Sequence, residues 1–229
     1  MPKVFFILGA PRCGTSLVAG ILHKSGVSAG EQLQAHEQDN PAGFFEDYLL
    51  TAINIGFLRA AGGSHIFPPS FSEIEEVMDY PITESSQFGR GLTAIGTAIK
   101  YLARRNRAGR DWCAKDPRVI LTWPIWAPAV AMSQDVNLHF IVTHRNVLDA
   151  AQSWVKCDYM KDTQYALGVV LEYMYRLSAI VWLAERKYPA LHLSFEGWWR
   201  DFQSQADALE EFVGRDLDFS HFEGSLWRS

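Results

Sequence analysis

The chain has 229 residues and a mass of 25.9 kDa, with 48% hydrophobic and 21% charged residues. This size and composition predict one globular domain over residues 1–229 and exclude a disordered chain. The net charge of −5 provides no overall positive field, so we expect no nucleic acid as a partner and only a local anion site. The composition carries no signal for an oligomeric state.

The first apolar segment, residues 4–10, is too short for a membrane-spanning helix and is followed at once by a Pro-Arg pair. It fits a short buried strand better than a signal peptide, because it lacks a polar cleavage region. The cysteines Cys13, Cys113 and Cys157 form neither a C-x-x-C pair nor a cluster with histidine. We therefore expect a cytoplasmic protein in a reducing compartment, with no metal and no membrane span.

Strands that are apolar on both faces alternate with helices, which is typical of a parallel sheet covered on both sides. In chain order the pattern predicts strands at 4–8, 112–115, 138–143 and 191–195, and helices at 15–25 before Gly26, at 48–59, after a cap at Asn146, at 166–184 and before Gly214. Residues 62–90 show no strong period and predict a loop-rich excursion over the sheet edge. The predicted fold class is α/β, with a P-loop-type parallel sheet of about four to five strands flanked by helices on both faces.

The segment from Gly9 to Ser16 lies between the first strand and the first helix, where backbone N–H groups and a helix N-terminus converge on an anion. Its spacing matches the P-loop pattern G-x-x-x-x-G-K-[ST], except that Thr15 replaces the lysine. That lysine reaches β- and γ-phosphates, so its replacement favours a ligand with a different phosphate arrangement, with Arg12 supplying positive charge. A glycine-containing turn without a ligand is the alternative interpretation.

This loop resembles the P-[KR]-x-G-T-[ST] loop of P-loop sulfotransferases, which holds the 5′-phosphosulfate of 3′-phosphoadenosine 5′-phosphosulfate (PAPS). The matching residues are Pro11, Arg12, Cys13, Gly14, Thr15 and Ser16. The resemblance continues in order through residues 40–47, 115–118 and 194–214. It includes Arg145 at the end of a strand and Ser153 eight residues later, the pair that grips the 3′-phosphate in this family. Taken without the loop, the pair fits a surface arginine and a serine on a helix flank.

The resemblance implies a sulfotransferase that moves the sulfuryl group of PAPS to a hydroxyl or amine of a small-molecule or glycan acceptor and releases adenosine 3′,5′-bisphosphate. By analogy with phosphoryl transfer, Arg12 and the amides of residues 13–16 would stabilise the leaving phosphate without a metal. A P-loop kinase using ATP–Mg²⁺ and a non-catalytic nucleotide-binding module are the alternatives. The chain lacks the basic glycine-rich segment that animal cytosolic members carry near the C-terminus. Arg228 is a candidate replacement, but a frayed tail fits these last residues better.

An attacking hydroxyl needs a base, and the sequence offers Glu46 first and His36 as the reserve, with Glu31 a further candidate. The phenylalanines beside Glu46 predict partly apolar surroundings for its carboxylate. Alternatively, Glu46 and Asp47 favour the start of the next helix through its dipole. Lys115 follows a short strand and is expected to point into the same cleft, where it assists the transferring group.

Four other features have a structural interpretation beside a functional one. Cys13 is interpreted as a loop residue, because no histidine partner can be placed beside it. Asp116 is expected to pair with Lys115 or Arg118 and hold the turn. The aromatic segment 122–126 either walls the acceptor pocket or belongs to the core. A run of basic residues predicts a solvated helix face and its exit loop, and its alternative interpretation is a surface that attracts an anionic acceptor. The run consists of Lys100, Arg104, Arg105, Arg107 and Arg110.

Overall fold

Four strands lie side by side in one parallel sheet. The structure is a computed structural model that describes residues 1–34, 43–79, 90–133, 136–157 and 159–222. Its strands are β1 (Lys3–Leu8), β2 (Trp112–Lys115), β3 (Asn137–His144) and β4 (Ala190–Ser194), in the spatial order β2-β1-β3-β4. The predicted parallel α/β sheet is confirmed, and its carboxyl ends meet at one edge.

Nine helices connect and cover the strands in the described part of the chain. They are α1 (Thr15–Lys24), α2 (Tyr48–Ala60), α3 (Phe71–Asp79), α4 (Arg90–Asn106), α5 (Trp123–Met132), α6 (Val147–Lys156), α7 (Thr163–Ala184), α8 (Gly197–Arg200) and α9 (Phe202–Val213). Two short 3₁₀ helices span Pro117–Ile120 and Phe219–Phe222.

The sheet is buried on both faces because alternate residues of the central strands enter different cores. Phe6 of β1 packs in a core formed with α2 to α7. Phe5 and Ile7 pack on the other side with α1, α8 and α9. This period of two explains why β1 is apolar throughout, and it confirms the prediction of helices on both faces.

The helix ends follow the signals in the sequence. Asn146 caps α6 by accepting hydrogen bonds from the amides of Leu148 and Asp149. Gly26 follows the end of α1 with a φ of 85°, and Gly214 follows α9 with a φ of 83°. Both values lie in the left-handed region that favours glycine, so these helices end where the sequence predicts.

The predicted loop-rich excursion at 62–90 is wrong in part. Residues 61–70 form turns and irregular chain, but α3 follows them and buries Ile74 and Val77 against the core. A nine-residue helix that buries two apolar side chains gives too short a hydrophobic pattern for the helix to be predicted from the sequence. Residues 80–89 lie outside the described part of the chain.

One described helix, α7, is long and apolar enough to cross a membrane by length and composition alone. One face of it packs against α6 and the first 3₁₀ helix. Arg176 in its middle is buried and pairs with Glu172 one turn earlier. A core helix passes the same test of length and apolarity, so the absence of a membrane span stays a prediction.

The turn after β1 tolerates no side chain at Gly9. A Cβ there would lie 2.2 Å from Thr143 Oγ1 and 3.0 Å from the Thr143 carbonyl oxygen of the adjacent strand. We expect Gly9→Ala to lower the free energy of unfolding by about 1–3 kcal/mol, measured by urea denaturation. The matched control is Gly56→Ala in α2, where a Cβ meets open space and a stabilisation of up to about 1 kcal/mol is expected. Equal effects of the two variants would contradict the crowding at Gly9.

Candidate active site

A cleft of about 400 Å³ opens at the carboxyl edge of the sheet. Three of the strands each bring one cation to this cleft. Arg12 lies in the loop after β1, Lys115 is the last residue of β2, and Arg145 follows β3. This is where ligands bind in open α/β sheets. Other residues that line the cleft include Gly14, Thr15, Ser16, Phe44, Glu46, His65, Arg118, Ser153, Tyr173, Phe195 and His221.

The loop between β1 and α1 presents a helix N-terminus to the cleft. Arg12 has a φ of 67° and Gly14 a φ of 89°, and a Cβ at Gly14 would lie 2.7 Å from the Phe195 ring. Gly14 precedes α1 without a side-chain cap, and the first turn carries no acidic residue. The first-turn N–H groups are therefore suited to an anion, and Gly14, Thr15 and Ser16 line the cleft. The Cys13 amide already donates to the Ala10 carbonyl at 3.2 Å.

Arg145 and Ser153 both reach the cleft, but each contacts Arg12 and no hydrogen bond between the two is described. Arg12 Nε donates to Ser153 Oγ at 3.1 Å. Arg145 Nη1 donates to the Arg12 carbonyl oxygen at 2.9 Å, and its guanidinium lies 4.0 Å from the centre of the Phe195 ring. Arg145 Nε is buried and has no partner among the described residues. Burial lowers the pKa of Arg145 from its ordinary value.

Glu46 lies between two cations, and this corrects the partly apolar surroundings that its phenylalanine neighbours suggest. Lys115 Nζ donates to Glu46 Oε1 at 2.7 Å, and Arg118 Nη2 pairs with Glu46 Oε2. Burial alone lowers the pKa of Arg118, but Asp116 and Glu46 outweigh it and hold that pKa above its ordinary value. Glu46 and Lys115 are both almost fully buried, so removing either partner leaves an uncompensated charge.

The start of α2 is stabilised by Asp47 rather than by Glu46. Asp47 Oδ1 accepts hydrogen bonds from the amides of Leu49 and Leu50. Arg105 lies 3.7 Å from the same carboxylate and is buried, which corrects the prediction that the basic run between residues 100 and 110 is solvated. The helix-start interpretation therefore applies to Asp47, whereas Glu46 lies in the cleft.

A buried hydrogen-bond network supports Arg118 from behind. Arg118 Nε and its amide both donate to Asp116 Oδ1, at 2.8 and 2.9 Å. Asn54 Nδ2 donates to Asp116 Oδ2 at 2.8 Å, and Asn54 Oδ1 accepts from Thr122 and Trp126. Asp116 holds the turn through Arg118, and Trp126 lies in the core.

His65 is a cleft residue that the sequence reasoning missed. The hydroxyl of Tyr173, a residue of α7, donates a hydrogen bond to the His65 carbonyl oxygen at 3.1 Å. This bond holds the loop that carries His65. Burial, and after it the charge of Arg118, lowers the pKa of His65 from 6.5. A neutral imidazole at pH 7 can accept a proton. His65 lies in the aperiodic segment 62–70, where no local pattern distinguishes it from a solvated histidine.

The other proposed site residues lie elsewhere. His36, the reserve base, and Arg228 fall outside the described residues. Glu31 is half-exposed and pairs with Arg104 away from the cleft. Cys13 is buried, and burial raises the pKa of its thiol to about 12, which makes it a poor nucleophile. Among the described residues no group of three His, Cys, Asp or Glu side chains is arranged to hold a metal.

Two solved structures share this fold over the whole chain. One is a sulfotransferase domain from the olefin synthase of Synechococcus PCC 7002, with a TM-score of 0.57 and 18% identity over 100% of this chain and 78% of that one. The other is a sulfotransferase domain from the curacin biosynthetic pathway, with a TM-score of 0.56 and 15% identity over 100% and 81%. No protein-family model and no curated protein matches the sequence. The chain therefore has a sulfotransferase-type fold, as the sequence resemblance predicts.

The cleft also contains a histidine whose neutral form stabilises the fold. His221 packs edge-on against Phe45 with ring centres 5.0 Å apart, and burial, followed by Lys24, lowers its pKa to about 4. The unfolded chain, with a histidine pKa of about 6.5, binds the proton more readily, so stability falls as the pH drops from about 6.5 toward 4. We expect His221→Phe to reduce this pH dependence without abolishing it, because burial also lowers the pKa of other histidines such as His65, measured by urea unfolding across that range. An unchanged slope would contradict the assignment.

Proposed function

We propose that this protein is a sulfotransferase that uses PAPS as donor and a hydroxyl or amine acceptor. The observation that carries the proposal is the positive end of the cleft, where neither Arg12 nor Arg145 forms an ion pair among the described residues. Arg12, Arg145 and the open N-terminus of α1 lie together there, and Arg145 Nε is buried without a described partner. Glu46 is the one carboxylate among the described lining residues, and it is already paired with Lys115 and Arg118.

The residues present fit the two anionic groups of PAPS. Arg12 and the first-turn amides at Gly14 to Ser16 would hold the 5′-phosphosulfate, because they combine a guanidinium with a helix N-terminus. Arg145 and Ser153 would hold the 3′-phosphate, and the buried Nε of Arg145 supplies a donor that the protein itself leaves unused. When bound, PAPS supplies the sulfuryl group to be transferred and the phosphate that leaves.

The chain's own residues then have distinct tasks. Arg12 and the first-turn amides stabilise negative charge at the phosphate loop without a covalent step. Lys115 and Arg118, paired with Glu46 and Asp116, form a rigid and locally neutral wall beside them. His65 takes the proton of the acceptor at a ring nitrogen, because its imidazole is neutral while both oxygens of Glu46 are already occupied by cations.

A P-loop kinase is the competing enzyme, and the site argues against it. Thr15 occupies the position of the lysine that reaches the β- and γ-phosphates of a nucleoside triphosphate. Lys115 does not replace that lysine, because its ammonium is buried and bound to Glu46 at 2.7 Å.

Donor binding is tested first, without any acceptor. Adenosine 3′,5′-bisphosphate should raise the melting temperature in the absence of metal, because a ligand that binds the folded state stabilises it, whereas ATP–Mg²⁺ should not. Arg12→Ala and Arg145→Ala should each weaken bisphosphate binding by about tenfold or more. The measurement is a thermal shift titration.

The matched control is Arg104→Ala, which removes an exposed arginine that pairs with Glu31 away from the cleft. It should leave bisphosphate binding unchanged. Stabilisation by ATP–Mg²⁺ alone would contradict the sulfotransferase proposal and favour a kinase. Tight bisphosphate binding with no turnover on any acceptor would favour a non-catalytic module.

The base is tested by release of adenosine 3′,5′-bisphosphate from PAPS, with 2-naphthol or water as acceptor. His65→Gln should lower kcat by about 10²- to 10⁴-fold while bisphosphate binding is retained. The wild-type rate should fall at acidic pH as His65 becomes protonated, and Glu46→Gln should keep this acid limb even if its rate is lower. Turnover that survives His65→Gln but disappears in Glu46→Gln would make Glu46 the base, as the sequence suggests.

A further inference from the structure

We propose that the exposed face of α7 is the interface of a homodimer, in which the α7 helices of two copies pack antiparallel about a two-fold axis at Tyr175. The inference is independent of the proposed reaction. Tyr175 is 64% exposed, Trp182 is 61% exposed and Leu171 is 49% exposed, although all three belong to one helix whose other side is core. Exposed apolar surface of this extent on one helix marks a contact site.

The exposed apolar residues form one continuous stripe. Gly168, Leu171, Tyr175, Ala179 and Trp182 follow each other at spacings of three or four residues, which places them on one face of a helix. All five are exposed. The spacing is that of an apolar seam between two helices.

The stripe is complementary to itself when reversed. Gly168 and Trp182 lie at equal distances before and after Tyr175, and so do Leu171 and Ala179. In an antiparallel pair centred on Tyr175, Trp182 therefore faces Gly168 and Leu171 faces Ala179, while Tyr175 meets Tyr175 of the other copy. The space above Gly168 is open, with no atom within 4 Å of a Cβ placed there, so it can receive Trp182 of a second copy. A two-fold interface requires this kind of self-complementarity.

The charges along α7 favour a second copy as the occupant. Within Thr163–Ala184 the charged residues are Glu172 and Arg176, and they pair with each other. The stripe ends in polar residues, Gln164 and Arg186, and the Arg186 guanidinium lies 3.6 Å from the centre of the Trp182 ring, where it borders the apolar surface. An apolar centre with a polar rim is the usual anatomy of a protein interface.

The available area is close to what a stable dimer needs. The loop before α3 widens the stripe, since Phe67 packs against Tyr165 and Phe71 against Tyr175, with ring centres 5.6 and 6.2 Å apart. Half-exposed aromatic side chains offer about 100 Å² each, so these residues with Trp182 give roughly 500 Å² per copy before the leucines are added. A standard interface buries about 800 Å² per partner.

Cysteine cross-linking tests the axis directly. In a Cys157→Ser background, Tyr175→Cys should form a disulfide-linked dimer with oxidised glutathione, because residue 175 meets its own copy on the axis. The matched control is Leu183→Cys, which is similarly exposed on the same helix. It should not cross-link, because its two copies lie about 24 Å apart along antiparallel helices.

Sedimentation equilibrium of the otherwise unmodified chain completes the test. The wild type should be a dimer, and Trp182→Lys should raise the dimer dissociation constant about tenfold or more while thermal unfolding shows a folded protein. A wild type that stays monomeric at all concentrations overturns the proposal. If such a monomer binds phosphatidylcholine–phosphatidylglycerol vesicles through this face, the proposal is overturned as well, because the face then binds a membrane surface and not a second copy. A dimer that neither Tyr175→Cys cross-links nor Trp182→Lys weakens overturns it as well.

Discussion

Close packing around the turn after β1 determines the rest of the site. Gly9 lies against Thr143 of β3, and Gly14 lies against the ring of Phe195. Because no side chain fits at either position, the turn is held tightly at the carboxyl edge of the sheet and α1 begins with its N-terminus open to the cleft. The same packing places Phe195 next to Arg145, whose guanidinium lies 4.0 Å from the ring centre. The end of the cleft that we propose to bind phosphate is thus built mainly from backbone geometry and one stacked arginine.

The two ends of the cleft differ in how their positive charges are compensated, in a protein whose net charge is −5. At the end beside the N-terminus of α1, Arg12 and Arg145 have no carboxylate partner among the described lining residues. At the other end, Lys115 and Arg118 are neutralised by Glu46 and by Asp116 behind them. An anionic donor is therefore attracted to one end only, and the wall beside it is rigid because its charges are paired and buried.

The sequence predicts the parts of the structure that local rules control. Strong apolar runs, caps such as Asn146 and the glycines after α1 and α9 are local signals, and the structure agrees with them. It predicts poorly what depends on contacts between distant segments. The neighbours of Glu46 in the chain are phenylalanines, yet its carboxylate binds cations about seventy residues away. Arg105 sits in a basic run but is buried against Asp47, and His65 reaches the cleft because Tyr173 holds its loop. The hydrophobic periodicity of the sequence carries no information about such contacts between distant segments.

The most direct test of the account is the affinity for adenosine 3′,5′-bisphosphate compared with adenosine 5′-phosphate, measured by isothermal titration calorimetry without metal. The 3′-phosphate should increase the affinity by about tenfold or more, because Arg145 Nε and Ser153 are available to it. This difference should disappear in Arg145→Ala. Equal affinity for the two nucleotides in the wild type would contradict the central claim that this cleft is built for a 3′-phosphorylated donor.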